Sequence, residues 1–312
     1  MSLFEPSTSE SAAGLATAFD APPVVSVPIV NVPAATPPAK PAPAARQTRR
    51  IEVLGLPIDD VTKDEAVRLI REHLEGDLPC QMCFVNADCV NVAARDDRYR
   101  FALQAVDFTF ADGVGMSIAA RALGRPLRDN VNGTDLFPLL CEELEETGVR
   151  VFLLGGYPGV SAAAAAWMQT HFPGVFLCGW HDGYFDASEE ATIVRKIANA
   201  KTDLLLVGFG EPRQTLWIQQ HLRAINVKVA IGVGGLFDFY SGRVPRAPVW
   251  VRRLRAEWVY RLSQEPQRLW RRYLIGNFAF LWRLRKAMRG TKQQPQVDAG
   301  TLWEANPFAD RD

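Results

Sequence analysis

No run of eighteen apolar residues occurs in the chain, so no membrane-spanning helix is expected. The N-terminus lacks a basic stretch followed by an apolar one, so no signal peptide is read there. Excess charge of either sign is also missing: lysine plus arginine equals aspartate plus glutamate, which argues against a general nucleic-acid binder. The five cysteines (80, 83, 89, 141, 178) are odd in number and show no disulfide framework. Cys80 and Cys83 form a CxxC, but neither a second pair nor a nearby histidine completes a zinc set. Reduced, buried thiols are expected, as in a cytosolic protein. No GxGxxG follows a strand, which weakens a dinucleotide oxidoreductase reading, and no DxD metal motif is present. His181 and Asp182 are adjacent, yet no serine or cysteine nucleophile motif accompanies them, so structure or acceptor contact is preferred to catalysis there.

What is present falls into distinct textures. Residues 1–50 carry nine prolines among alanines and small polar residues. Proline forbids helix and ladder, and large apolar groups are too few to offset ordering entropy, so a disordered tail is expected, with a second at 291–312. From Ile51 short apolar runs alternate with amphipathic stretches. Strands are expected at IEVLGLPI, CFVNA, VDFTF, VRVFLLGG, VFLCG, DLLLVGFG and VKVAIGVGG. Between them fall helices over 62–75 (capping box Thr62 and Glu65), 88–104, 113–123, 134–147, 160–171, 188–200 (capped by Ser188) and 212–224. That alternation implies right-handed crossovers: an α/β, Rossmann-like, mostly parallel sheet with helices on both faces, over 51–242.

Residues 243–290 differ. They read as helical and hold thirteen basic residues against two acids between Arg243 and Arg289, interleaved with tryptophan, tyrosine and phenylalanine. Basic, Trp-rich amphipathic helix is the composition of a segment lying in an anionic membrane interface, so a membrane-associating appendage is expected. The alternative is an ordinary helical subdomain with a solvated basic face.

Three strands end in glycine-rich turns: Gly155-Gly156, Gly208-x-Gly210 and Gly232-x-Gly234-Gly235. Glycine lets backbone N–H groups approach phosphate oxygens, and several such turns at one sheet edge would form a nucleotide-diphosphate crevice. Asp112 sits after VDFTF, in the turn Ala-Asp-Gly, where a carboxylate is either a functional group or a helix cap. Asp238, beside the last glycine turn, is open to the same two readings. Gln214 stands just inside a helix and can both donate and accept, which suits a uracil or a sugar hydroxyl. Arg261, Arg268 and Arg271, seven and three apart, would share one face of a continuous helix.

The ADG turn, VGFGEPRQ, GVGGLFDFYSG and RAPVWVRRLRAEWVYRLSQEPQRLWRR, in this order across 51–289, resemble the WecG/TagA/CpsF family of bacterial glycosyltransferases. The resemblance implies inverting transfer from a UDP-hexose to a sugar on polyprenyl diphosphate, in surface-polysaccharide synthesis, with no cofactor and no metal. It implies peripheral attachment to the inner face of the cytoplasmic membrane and leaves room for a homo-oligomer. Asp112 then matches the family's general base, Asn86 the asparagine of its T-x-N motif, and Gln214 the glutamine at its nucleotide-sugar site. Arg261, Arg268 and Arg271 match arginines folded over that site to neutralise the leaving diphosphate. Three positions depart: Phe84 replaces threonine, Asn130 stands where an arginine is usual, and Thr215 where a glutamate is. N-acetylmannosamine is the family's usual sugar; losing a cation and a hydroxyl points to glucose as the substitute, as in xanthan-type assembly. A non-catalytic nucleotide-sugar sensor or scaffold would also fit these departures.

Overall fold

A computed structural model describes residues 48–253 and 256–291; both expected tails lie outside them, apart from their innermost residues. The chain runs β1 Arg50–Val53, β2 Leu56–Asp59, α1 Lys63–Glu75, β3 Cys80–Val85, α2 Ala87–Ala93, α3 Asp97–Ala105, β4 Phe108–Ala111, α4 Val114–Ala122 and α5 Gly133–Leu144. It continues through β5 Arg150–Gly155, α6 Val160–His171, β6 Phe176–His181, α7 Ala187–Asn199, β7 Leu204–Gly208, α8 Arg213–Ile225 and β8 Val229–Gly232. After the sheet come α9 Leu236–Tyr240, α10 Val249–Arg253, α11 Glu257–Gln264, α12 Pro266–Trp270, a π-helical turn over Arg271–Ile275, and α13 Gly276–Thr291.

The eight strands form one sheet in the order β1-β2-β4-β3-β8-β7-β5-β6. Every neighbouring pair is parallel except β1 and β2. Its two faces follow strict alternation. Met82 and Phe84 pack with Phe110, Leu153, Leu206 and Ile231 under α1, α5 and α6. Their neighbours Cys83 and Val85 face the opposite core with α2, α3 and α4, where Phe280 and Leu284 of α13 also lie. Burying those two side chains stabilises the attachment of α13 by about 1.5–3 kcal/mol each.

Four local expectations need correction. IEVLGLPI is a hairpin rather than one strand, because Leu54 (φ 54°) and Gly55 (φ 82°) both adopt the left-handed backbone of a two-residue turn. The helix expected over 88–104 is two: Asp96 accepts from the Tyr99 N–H and starts a second helix. Asp186, not Ser188, caps α7, through a capping box with Glu189. Arg261, Arg268 and Arg271 do not share one continuous helix: Glu265 is non-helical, Pro266 opens a new helix, and the π turn over 271–275 shifts the register again.

Candidate active site

Parallel strands deliver their following turns to one edge, and the sheet order decides which turns meet. β4 and β3 are adjacent, so Asp112 and Asn86, the residues after them, lie side by side. β8, β7 and β5 come next, so the three glycine turns are consecutive along the same edge. They are closely fitted: a Cβ on Gly155, whose φ is +139°, would fall 2.5 Å from the Gly208 carbonyl oxygen.

Asp112 does not cap the helix that follows; Gly113 holds that position, with no side-chain hydrogen bond. Its carboxylate is half-buried and accepts a long hydrogen bond from Asn86 Nδ2, 3.5 Å away. Asn86 in turn is fixed by capping α2: its Oδ1 accepts from the N–H groups of Asp88 (3.0 Å) and Cys89 (3.2 Å). Burial pushes the Asp112 carboxyl above its ordinary range. Asn86, Arg272 and Arg261 pull it partly back, and Glu257 adds to the rise. An acid held in this way is poised to take a proton nearer neutrality than a surface aspartate would.

Gln214 is buried, and its amide ties two turns together. Oε1 accepts from Gly210 N–H at 3.1 Å and Gly234 N–H at 2.9 Å, while Nε2 donates to Glu211 at 2.8 Å. It therefore fixes the two glycine turns relative to each other. Glu211, which sequence reasoning passed over, lies half-buried beside it and also accepts from Thr215 Oγ1 at 2.9 Å. Burial raises its pKa, with Thr215, Gln214 and Tyr99 opposing. Asp238 is no helix cap either: it is buried and ion-paired with Arg243 at 3.0 Å. Phe84 lies in the core beneath β3, its ring 3.2 Å from where a Cβ on Gly133 would be. The buried Asn130 Oδ1 has no hydrogen-bond partner among the described residues.

The appendage closes over this edge. The Arg261 guanidinium stacks on Phe239 at 5.0 Å and stands 2.8 Å from where a Cβ on Gly235 would be. Arg272, also missed in the sequence, reaches Asp88 at 3.0 Å, beside Asp112. Burial works against its charge, but Asp88, Tyr273, Cys89 and Asp112 outweigh it and raise its pKa. The residue is invisible in sequence because only the π turn brings position 272 inward. Arg271 is exposed, its guanidinium over the Trp270 ring at 5.2 Å. The Arg268 side chain lies outside the described residues. Other appendage cations serve the fold: Arg246 and Arg252 pair with Asp135 at 2.6 and 3.9 Å.

At the far end of the edge, Tyr157 and Tyr184 stack at 4.8 Å, and Arg243 covers Tyr157 at 4.3 Å. Asp182 is a structural cap, accepting from Gly159 N–H and Ser161 Oγ at 3.1 and 2.8 Å. His181 bonds the Asp182 carbonyl at 2.9 Å and packs on Phe185, so these two residues form no catalytic dyad.

A model of the Glycosyl transferase WecG/TagA/CpsF family matches residues 51–294. The chain belongs to that family. Among curated proteins, it is 30% identical to an N-acetylglucosaminyldiphosphoundecaprenol N-acetyl-beta-D-mannosaminyltransferase of Staphylococcus aureus, over 79% of this chain and 96% of the relative. The Bacillus spizizenii protein of the same name is 35% identical over 58% of this chain and 70% of its own length. One from Bacillus subtilis is 30% identical over 66% and 79%. As a WecG/TagA/CpsF protein it is a glycosyltransferase, and the alternatives of an oxidoreductase or a non-catalytic scaffold lose their ground. Among the described residues no cluster of histidine, cysteine, aspartate and glutamate is arranged to hold a metal ion, and no helix is long and apolar enough to cross a membrane.

Proposed function

We propose that this glycosyltransferase moves a hexose of the N-acetylmannosamine type from UDP to a sugar on polyprenyl diphosphate, with inversion. The observation that carries this reading is the partly accessible Asp112 carboxylate, raised by burial and held by Asn86, at the same edge as three glycine turns and beneath Arg261. In the step, the acceptor hydroxyl oxygen attacks the anomeric carbon and its proton passes to Asp112. The bond from that carbon to the UDP oxygen breaks, and its electron pair leaves on the diphosphate. Arg261 and Arg272 supply fixed positive charge for the negative charge that develops there, the role a metal plays in other transferases. The stacked Tyr157 and Tyr184 offer an aromatic platform for the uracil ring. The relatives' names specify an N-acetylglucosaminyl diphosphoundecaprenol acceptor, and the same lipid class is our assignment for this chain.

A glucose donor is the second reading. What favours it is Phe84, an aromatic ring packed on Gly133 where the family pattern has a small hydroxyl residue.

Peripheral attachment to the membrane, on its inner face as the resemblance implies, is supported by α13 and the turn before it. Leu274, Ile275, Phe278, Leu281 and Trp282 are each more than half exposed, at three- and four-residue spacings, with Arg285, Lys286 and Arg289 also exposed. UDP release from UDP-N-acetylmannosamine and UDP-glucose, with and without a short-chain polyprenyl-diphosphate N-acetylglucosamine, tests the assignment. Acceptor-dependent release from either donor is expected. Binding without turnover on every donor would overturn it.

A further inference from the structure

A cavity of about 720 Å³ opens at the other end of the sheet, between the β1–β2 turn, the C-terminal ends of α2 and α4, and α13. Four cations line it, Arg100, Arg125, Arg283 and Lys286, against the single acid Glu52. Its walls are apolar, with Leu54, Val90, Leu123 and Trp282 contributing. Two of the cations are held by uncharged partners: Arg283 donates to Asn91 Oδ1 at 2.6 Å, and Lys286 lies over the Trp282 ring at 5.8 Å. Among the described residues neither charge is paired with an acid. Burial, aided by Arg95, lowers the Arg283 pKa, as expected of a cation short of an anion.

The position matters as much as the chemistry. Asn86 and Asp112 precede the N-termini of α2 and α4, whereas the cavity lies at their C-termini, roughly 10 Å away along the axis of α2. It is therefore separate from the crevice that holds the reacting sugars. Trp282 both lines the cavity and belongs to the exposed apolar stripe of α13, so an interface reached by the stripe is continuous with the cavity mouth.

We propose that this cavity is a binding site for an anionic glycerophospholipid of the membrane surface. Its phosphate sits among Arg125, Arg283 and Lys286, and the upper part of one acyl chain lies against Leu123 and Trp282. Charge complementarity and continuity with the apolar stripe select this occupant. The site rests on the membrane attachment proposed above and gives it selectivity: the stripe supplies general affinity for a bilayer, and the cavity a preference for anionic lipid. A lipid held here fixes the roll of α13 on the surface and, through Phe280 against Gly115, the placement of the edge that carries Asp112.

The test is sedimentation of the full chain with phosphatidylcholine vesicles and with vesicles containing about one third phosphatidylglycerol. Two double variants carry the same charge change on or beside α13: R125E/K286E within the cavity, and R285E/R289E outside it. A third, Ala94→Phe, narrows the cavity without altering charge. Circular dichroism and UDP affinity are checked to be those of the unaltered chain. Reversing two surface cations costs both double variants general attraction to anionic vesicles; the cavity pair is expected to lose about tenfold more of that preference than R285E/R289E, and the uncharged Ala94→Phe about tenfold, with binding to phosphatidylcholine little changed. Equal losses in the two double variants would mean diffuse attraction and overturn the site. Should the unaltered chain bind no vesicle, the membrane reading fails. The cavity is then judged separately by calorimetry with dihexanoyl-phosphatidylglycerol below its micellar concentration: binding sensitive to R125E/K286E sustains the site, and none removes it. Inorganic phosphate that competes as strongly as this short lipid would show a free-anion site and contradict the lipid assignment.

Discussion

Asn86 and Asp112 end neighbouring parallel strands, and the 3.5 Å hydrogen bond from the Asn86 amide to the Asp112 carboxylate joins the helix-capping residue to the proposed base. Asn86 favours the ionised form of Asp112, and burial disfavours it. In the folded chain the net shift is upward, so Asp112 is protonated at low pH and becomes a competent base only as pH rises through a value above the ordinary carboxylate range. Replacing Asn86 by alanine removes a downward influence, so the acid limb of kcat/KM is expected to move to higher pH. The lost cap also costs about 1 kcal/mol of stability. Asn86→Asp keeps the cap and adds a like charge; it should move the limb further with less loss of stability. Rate-pH profiles with thermal melts separate the two effects.

Gly235 sits where a methyl group would displace a single cation. Its φ is −84°, which alanine adopts without strain, and the first atom a Cβ would meet is Arg261 Nη2, the far end of a flexible side chain. Gly235→Ala is therefore expected to fold with a melting temperature within about 2 °C of the unaltered chain, yet to lower transfer by about tenfold through misplacing Arg261. Arg261→Ala should lose about 100-fold. If transfer by Gly235→Ala equals that of the unaltered chain, Arg261 does not act from this position.

Gln214 is expected to matter through the turns it joins. In Gln214→Ala the partly buried N–H groups of Gly210 and Gly234 lose their acceptor, at a cost of about 1–3 kcal/mol. UDP affinity, read by calorimetry, should weaken because the two adjacent glycine turns proposed to hold the diphosphate are no longer kept in register.

Glu211 gives a prediction of opposite sign to most carboxylates. Its folded pKa is raised by burial, so ionisation costs stability above the unfolded value near the ordinary glutamate pKa, and that cost is absent at lower pH. Glu211→Gln keeps an oxygen to accept from Gln214 and Thr215 and carries no charge. It is expected to be at least as stable as the unaltered chain at neutral pH, with a smaller fall in stability between pH 4 and neutrality. Denaturant midpoints across that range measure it.

Periodicity sufficed for the sheet and most helices because strand alternation and helix caps are local. α6 runs from Val160 to His171, and the Thr62–Glu65 capping box forms, both as read from the sequence. It failed where a few polar residues outvote the pattern, at Asp96 and Asp186, and where both residues of a tight turn take positive φ, at Leu54 and Gly55. The site divides in the same way. Asp112, Asn86 and the glycine turns were legible because they follow strands. Arg272 and Glu211 were not: one is brought inward by the π turn, and the other enters by way of a hydrogen bond to Thr215. The expected arginine face assumed one helix where the chain builds two and a π turn.

The account stands on Asp112 taking the acceptor proton, and the most direct measurement pairs single-turnover transfer with UDP binding in Asp112→Asn. Asparagine keeps the shape and the neighbours but cannot accept the proton. Transfer is expected to fall by at least about 100-fold with UDP affinity within about twofold of the unaltered chain. Transfer within a few-fold of the unaltered rate, at any pH from 6 to about 8, would contradict it.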